Sequence, residues 1–110
     1  MADPITYDDF AKVQLRVAKV LEARPHPNAD TLMLLQLSVG EETKQIVAGI
    51  KLHYTPEQLV GKSIVIVNNL EPAIIRGETS NGMLLAATSG EQVILVTVDD
   101  PACVSGAKIK

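Results

Sequence analysis

The stretch that most narrows what this chain can fold into runs from Val13 to Ala23. Val13, Leu15 and Val17 alternate with Gln14, Arg16 and Ala18, the two-residue period of a half-buried strand. The parity then slips, because Val20 rather than Lys19 is the next apolar position. A long strand whose parity changes midway implies a bulge and a sharp bend. Closing a small barrel requires a first strand of this kind.

The elements around it follow from local signals. Thr6 is a good N-cap, and Asp9 can reach back as an aspartate version of the capping box. Ile5 and Phe10 have the spacing of a hydrophobic staple, and Asp8 and Asp9 suit the positive end of a helix dipole. A short helix is expected over residues 5–12. Residues 24–30, Arg-Pro-His-Pro-Asn-Ala-Asp, form a loop, since two prolines and an Asn-Ala-Asp cluster cannot continue a strand. Strand character resumes from Thr31 to Val39, turns at Gly40-Glu41-Glu42, and returns from Lys44 to Gly49. Residues 54–61 read as a short helix: Thr55 caps it, Pro56 fits its first position, Gln58 completes a capping box and Gly61 ends it. A fourth strand is expected over Ser63–Asn68, a polar loop over 69–81 and a fifth strand over Gly82–Ala87. A further strand covers Gln92–Val98, and the tail from Pro101 to Lys110 carries no clear signal.

Five strands with a short helix between the third and fourth give a mainly β chain in the order of the OB-fold. That fold is a five-stranded Greek-key barrel whose loops after strands one and four bind oligonucleotides or oligosaccharides. The expected layout is a single domain over 1–110: an N-terminal helix (5–12), the barrel (13–87) and a C-terminal extension (88–110). Hydrophobic residues make up 46% of the chain, yet only Tyr7, Phe10 and Tyr54 are aromatic, so the core must be aliphatic. The lone Cys103 allows no internal disulfide and suits a reducing compartment. The start, Met-Ala-Asp-Pro, has no basic, apolar leader, and no apolar run approaches membrane-spanning length. A soluble cytoplasmic protein is expected.

The loop chemistry points to recognition without catalysis. Residues 68–87 hold Arg76, amides, hydroxyls and glycines, but no histidine, cysteine or aspartate to serve as base, nucleophile or metal ligand. His26 and His53 have no partner at metal-ligand spacing. Neither catalytic residues, a metal nor a cofactor is expected. The net charge of −3 weighs against indiscriminate adhesion to polyanions. Locally, however, Lys12, Arg16, Lys19 and Arg24 face Glu22 alone, a balance of +3 that reads either as a basic face or as scattered solvated charge. Arg76 beside Gly77 can meet a backbone phosphate with paired hydrogen bonds, or be a plain loop arginine. Ser80 and Asn81 suit phosphate or ribose, or turn formation. Met83 can pack on a base or fill the barrel mouth, Asn28 is first a turn residue, and Lys51 can add a cation or stay solvated. Scarce aromatics disfavour a single-strand binder that stacks successive bases.

With these motifs in place, the sequence resembles the tRNA-binding domain found at the C-terminal end of many methionyl-tRNA synthetases, in free-standing dimeric tRNA-binding proteins and in synthetase-associated cofactors. Asp9-Phe10 with residues 13–17, His26-Pro27-Asn28-Ala29-Asp30, residues 45–50 (Gln-Ile-Val-Ala-Gly-Ile), residues 54–62, and Ile75-Arg76-Gly77 with Ser80-Asn81-Gly82-Met83 carry the likeness in order. The resemblance implies an OB-fold homodimer that binds the body of tRNA by shape and backbone and assists aminoacylation. Its contacts would fall at Asn28, Arg76, Ser80, Asn81 and Met83, with dimerisation through the helix at 5–12 and the segment 88–110. Many relatives carry lysine where this chain has Thr31 and Ile74, so two cations near the site are missing. A related dimeric OB-fold family of export chaperones that bind unfolded polypeptide is the alternative, although it lacks the His-Pro-Asn-Ala-Asp loop.

Overall fold

The computed structural model describes residues 2–110; Met1, on which the reading of the chain start partly falls, lies outside them. In chain order the elements are α1 (Tyr7–Ala11), β1 (Leu15–Pro25), β2 (Met33–Val39), β3 (Glu42–Ala48), α2 (Pro56–Leu59), β4 (Ser63–Val67), β5 (Ala73–Ile75), β6 (Glu78–Ser80), β7 (Met83–Leu84), β8 (Ala86–Ser89), β9 (Gln92–Leu95) and β10 (Lys108–Ile109). The main sheet runs β3-β2-β1-β4-β7, with β10 also on β1. This is the Greek-key order that the sequence predicts.

The sheet curls because β1 serves two neighbours in turn. Its first half pairs with β4, from Leu15↔Val67 to Lys19↔Ser63. Its second half pairs with β2, from Lys19↔Ser38 to Pro25↔Met33, with a register shift between Val20 and Glu22. The bulge thus falls where the parity slips, and it keeps Val20 buried while Leu21 emerges. Beyond it the ring closes on β3. The Asn81 N–H donates to the Gln45 carbonyl (2.8 Å), the Val47 N–H donates to the Ser80 hydroxyl (2.9 Å), and Gln45 Nε2 donates to the Thr79 carbonyl (3.0 Å).

The core inside this ring is aliphatic, as expected. Met33, Leu35, Leu37, Ile46, Ile64 and Ile66 are fully buried, each worth about 1.5–3 kcal/mol relative to exposure. Leu59 of α2 plugs one end. The helix is set by a reciprocal box, the Thr55 N–H reaching Gln58 Oε1 (2.8 Å) and the Gln58 N–H reaching the Thr55 hydroxyl (3.3 Å). Its exit is pinned to the bulge, the Gly61 N–H donating to the Val20 carbonyl (2.8 Å). At α1 the Thr6 hydroxyl accepts from the Asp9 N–H (3.1 Å). Asp9 does not reach back, however; its carboxylate meets Lys12 Nζ at 3.4 Å.

Two further expectations need correction. The loop 69–81 contains the β5–β6 hairpin. The fifth strand stops at Leu84, after which β8 leaves the barrel and pairs with β9. Ala86 and Ala87 lie exposed, with side chains too small to hold that strand in the core. The tail, for which the sequence carries no clear signal, has a defined place. It straps the edge of β1 that β2 leaves open, through β10 and a bond from the Val17 N–H to the Ala107 carbonyl (2.9 Å). An open strand edge is thereby covered. Among the described residues no helix is long and apolar enough to cross a membrane.

Candidate nucleic-acid interface

The turn Arg76-Gly77 joins β5 to β6, and both residues have positive φ, 53° and 88°. Positive φ at both central positions marks a type I′ turn, whose twist matches that of a hairpin. Asparagine and glycine usually fill it; an arginine in the left-handed region costs about 1 kcal/mol. The strained position holds Arg76 exposed at the hairpin tip, with no hydrogen bond or ion pair to its guanidinium among the described residues.

The loop between β1 and β2 grips this tip. His26 is 4% exposed. Its Nδ1 accepts the Asn28 N–H (2.9 Å), and its Nε2 lies 2.9 Å from the Ile75 carbonyl oxygen. A backbone N–H can only donate and a carbonyl can only accept, so the bonding fixes a neutral ring with its proton on Nε2. Asn28 Nδ2 then donates to the Arg76 carbonyl (3.3 Å). A third segment meets the far end of this loop, where the Lys51 N–H donates to the Thr31 carbonyl (3.3 Å).

The six residues singled out from the sequence therefore separate into two groups. Asn28 meets Arg76 at the hairpin tip, and Lys51 is bonded through its backbone to Thr31, farther along the Asn28 loop. Ser80, Asn81 and Met83 lie about 10 Å or more along the chain from the tip, at roughly 3.3 Å per strand residue. Asn81 is half-buried beside Gln45, and Met83 is 47% exposed on β7. Ser80 differs most from expectation: it is 4% exposed, accepts from the Val47 N–H and donates to the Gly82 carbonyl (3.0 Å). Its hydroxyl closes the barrel instead of facing solvent. Ser80→Ala should leave the Val47 N–H unpaired in a buried seam and cost about 1–3 kcal/mol, read as a lower urea midpoint at unchanged slope.

The basic run at 12–24 does not form one face. Lys12 sits against Asp9, and Arg16 is half-buried with its guanidinium 3.3 Å from the Gly106 carbonyl. Lys19 and Arg24 remain exposed. His26 is the residue of this corner that the sequence does not single out. The signal was a histidine between two prolines in the loop already chosen, but its partner lies 49 residues away.

This arrangement has counterparts among known proteins. The pattern of the family described as "Putative tRNA binding domain" matches residues 15–107, which takes in the barrel and both loop segments and stops just before β10. The chain belongs to this family. It is 56% identical over 105 residues to a methionine–tRNA ligase of Thermotoga maritima, covering 96% of this chain and 16% of that one. This tRNA-binding domain thus spans about a sixth of the length of the curated relatives it matches. Among solved structures, a MetRS-related protein from Pyrococcus horikoshii superposes with a TM-score of 0.91 at 32% identity, covering 99% of this chain and 100% of that one. The chaperone CsaA of Bacillus anthracis gives 0.88 at 29% identity, covering 98% and 100%.

Proposed function

We propose that this tRNA-binding domain grips the folded body of tRNA through its backbone, has no catalysis of its own, and assists aminoacylation in the cytoplasm as an accessory to, or part of, methionyl-tRNA synthetase. The observation that carries the reading is the corner where His26 and Asn28 hold the carbonyls of Ile75 and Arg76, leaving an exposed guanidinium at its rim. A guanidinium on a fixed backbone suits phosphate, and exposed amides beside it suit ribose and phosphate. Lys51, whose backbone is bonded to Thr31 in the same loop, would add a cation to this side of the site. Asn81 and Met83 extend the contact along the hairpin base.

A homodimer is part of the proposal. Ile5, Tyr7, Phe10 and Val13 expose apolar surface on and beside α1, more than a short isolated helix has use for. The second reading, binding of unfolded polypeptide, is favoured by the likeness to CsaA. Size-exclusion chromatography with light scattering, with and without total tRNA, tests dimer and complex together. Anisotropy against tRNA and an unfolded peptide separates the readings. With about three phosphate contacts, tRNA affinity should fall roughly 40-fold between 50 and 200 mM salt. Salt-independent binding, or a preference for the peptide, would overturn the proposal.

A further inference from the structure

We infer that His26 is a positioning residue of the tRNA site. Its neutral ring ties the loop carrying Asn28 to the hairpin tip carrying Arg76, so that the two meet tRNA as one preorganised unit. The inference rests on the tRNA reading proposed above for this corner.

His26 cannot be a contact residue itself. It is 4% exposed, and both ring nitrogens are engaged within the protein. Its two bonds do different work. The Nδ1 bond to the Asn28 N–H is local and orders the loop alone. The Nε2 bond to the Ile75 carbonyl crosses 49 residues of sequence and reaches the residue just before Arg76. The tip is a two-residue turn on strands of three residues each, with a strained arginine at its end. Without the Nε2 bond it keeps only the longer 3.3 Å bond to the loop, from Asn28 Nδ2, and the Gln45 amide on its β6 side. Fixing a free backbone residue and holding a long side chain both cost conformational entropy on binding. A ring that fixes the tip beforehand removes part of that cost from binding. It also orients Asn28. Because Nδ2 must face the Arg76 carbonyl, Oδ1 is the end of the amide left to accept, for instance from a ribose 2′-hydroxyl.

Two substitutions separate the bonds. His26→Asn keeps an oxygen near the Nδ1 position but is too short to reach Ile75. His26→Gln carries an amide N–H near the Nε2 position. His26→Asn should lower tRNA affinity about 10-fold, and His26→Gln no more than about 3-fold. Since His26 acts through Arg76, adding His26→Asn to Arg76→Ala should cost less than about 2-fold further. Thermal midpoints measured alongside separate these losses from unfolding, a readout on which a purely structural histidine would give independent, multiplying losses. If His26→Asn binds like the parent while Arg76→Ala does not, or if the two losses multiply, the positioning role is overturned. If the parent does not bind tRNA, the proposed function falls and this inference falls with it; if the parent binds but Arg76→Ala has no effect, the hairpin tip is not the site and this inference falls alone.

Discussion

Arg76→Ala is expected to weaken tRNA binding by about 10- to 100-fold, the value of one well-placed guanidinium–phosphate contact at roughly 1–3 kcal/mol. The loss should be uniform across tRNA species, because a phosphate contact carries no sequence information. The slope of log affinity against log salt should drop by about one, as one phosphate is no longer neutralised. Stability should barely move, within about 0.5 kcal/mol. The side chain is exposed, its guanidinium makes no bond among the described residues, and alanine keeps the same left-handed backbone strain. Arg76→Lys should recover only part of the affinity, since an ammonium keeps the charge but loses the planar fork. Fluorescence anisotropy with labelled tRNA at three or more salt concentrations, beside urea unfolding of each variant, gives all of these quantities. An unchanged affinity and slope would show that Arg76 is an ordinary turn residue.

What could be read from the sequence was set by neighbours along the chain. The parity slip at Lys19-Val20 located the bulge because strand facing is decided residue by residue. Thr55, Pro56 and Gln58 located α2 because a capping box lies within four positions. The hairpin tip escaped notice because Arg-Gly stands where a type I′ turn usually announces itself with Asn-Gly, and because its strands are three residues long. For Ser80 the sequence leaves a ligand contact and a turn equally open, because a hydroxyl in a polar loop looks exposed. Its bond to Val47 appears only when the barrel closes across 33 residues. His26 and the tail share that difficulty. A ring bonded to Ile75, or a strap paired with a strand some 90 residues earlier, leaves no periodicity to detect. The two loop segments were therefore legible as segments, whereas the bonds that join His26 and Asn28 to Ile75 and Arg76 were not.

The strap gives the largest expected loss of stability. Gly106→Ala should destabilise the fold by about 2–3 kcal/mol. Gly106 has a φ of 88°, and a Cβ there would lie 2.7 Å from both Cα and N of Gly40. Both obstacles are backbone atoms, so no rotation of a side chain can relieve them. The turn after β2 or the strap itself must move. Movement of the strap would break the bonds converging on it: the Gly106 N–H to the Val17 carbonyl, Arg16 to the Gly106 carbonyl, and the Gly40 N–H to the Ser105 hydroxyl. Gly90→Ala isolates the backbone term. Its φ is 61° with nothing within 4 Å of a new Cβ, so only left-handed strain of about 1 kcal/mol is expected. If the strap detaches before the barrel unfolds, the denaturant slope of Gly106→Ala should fall as well, because less surface remains to be exposed in the main transition. Equal midpoints for the two variants would mean that the junction of Gly40 with Gly106 yields at no cost, and that the strap is held by its bonds to β1 alone.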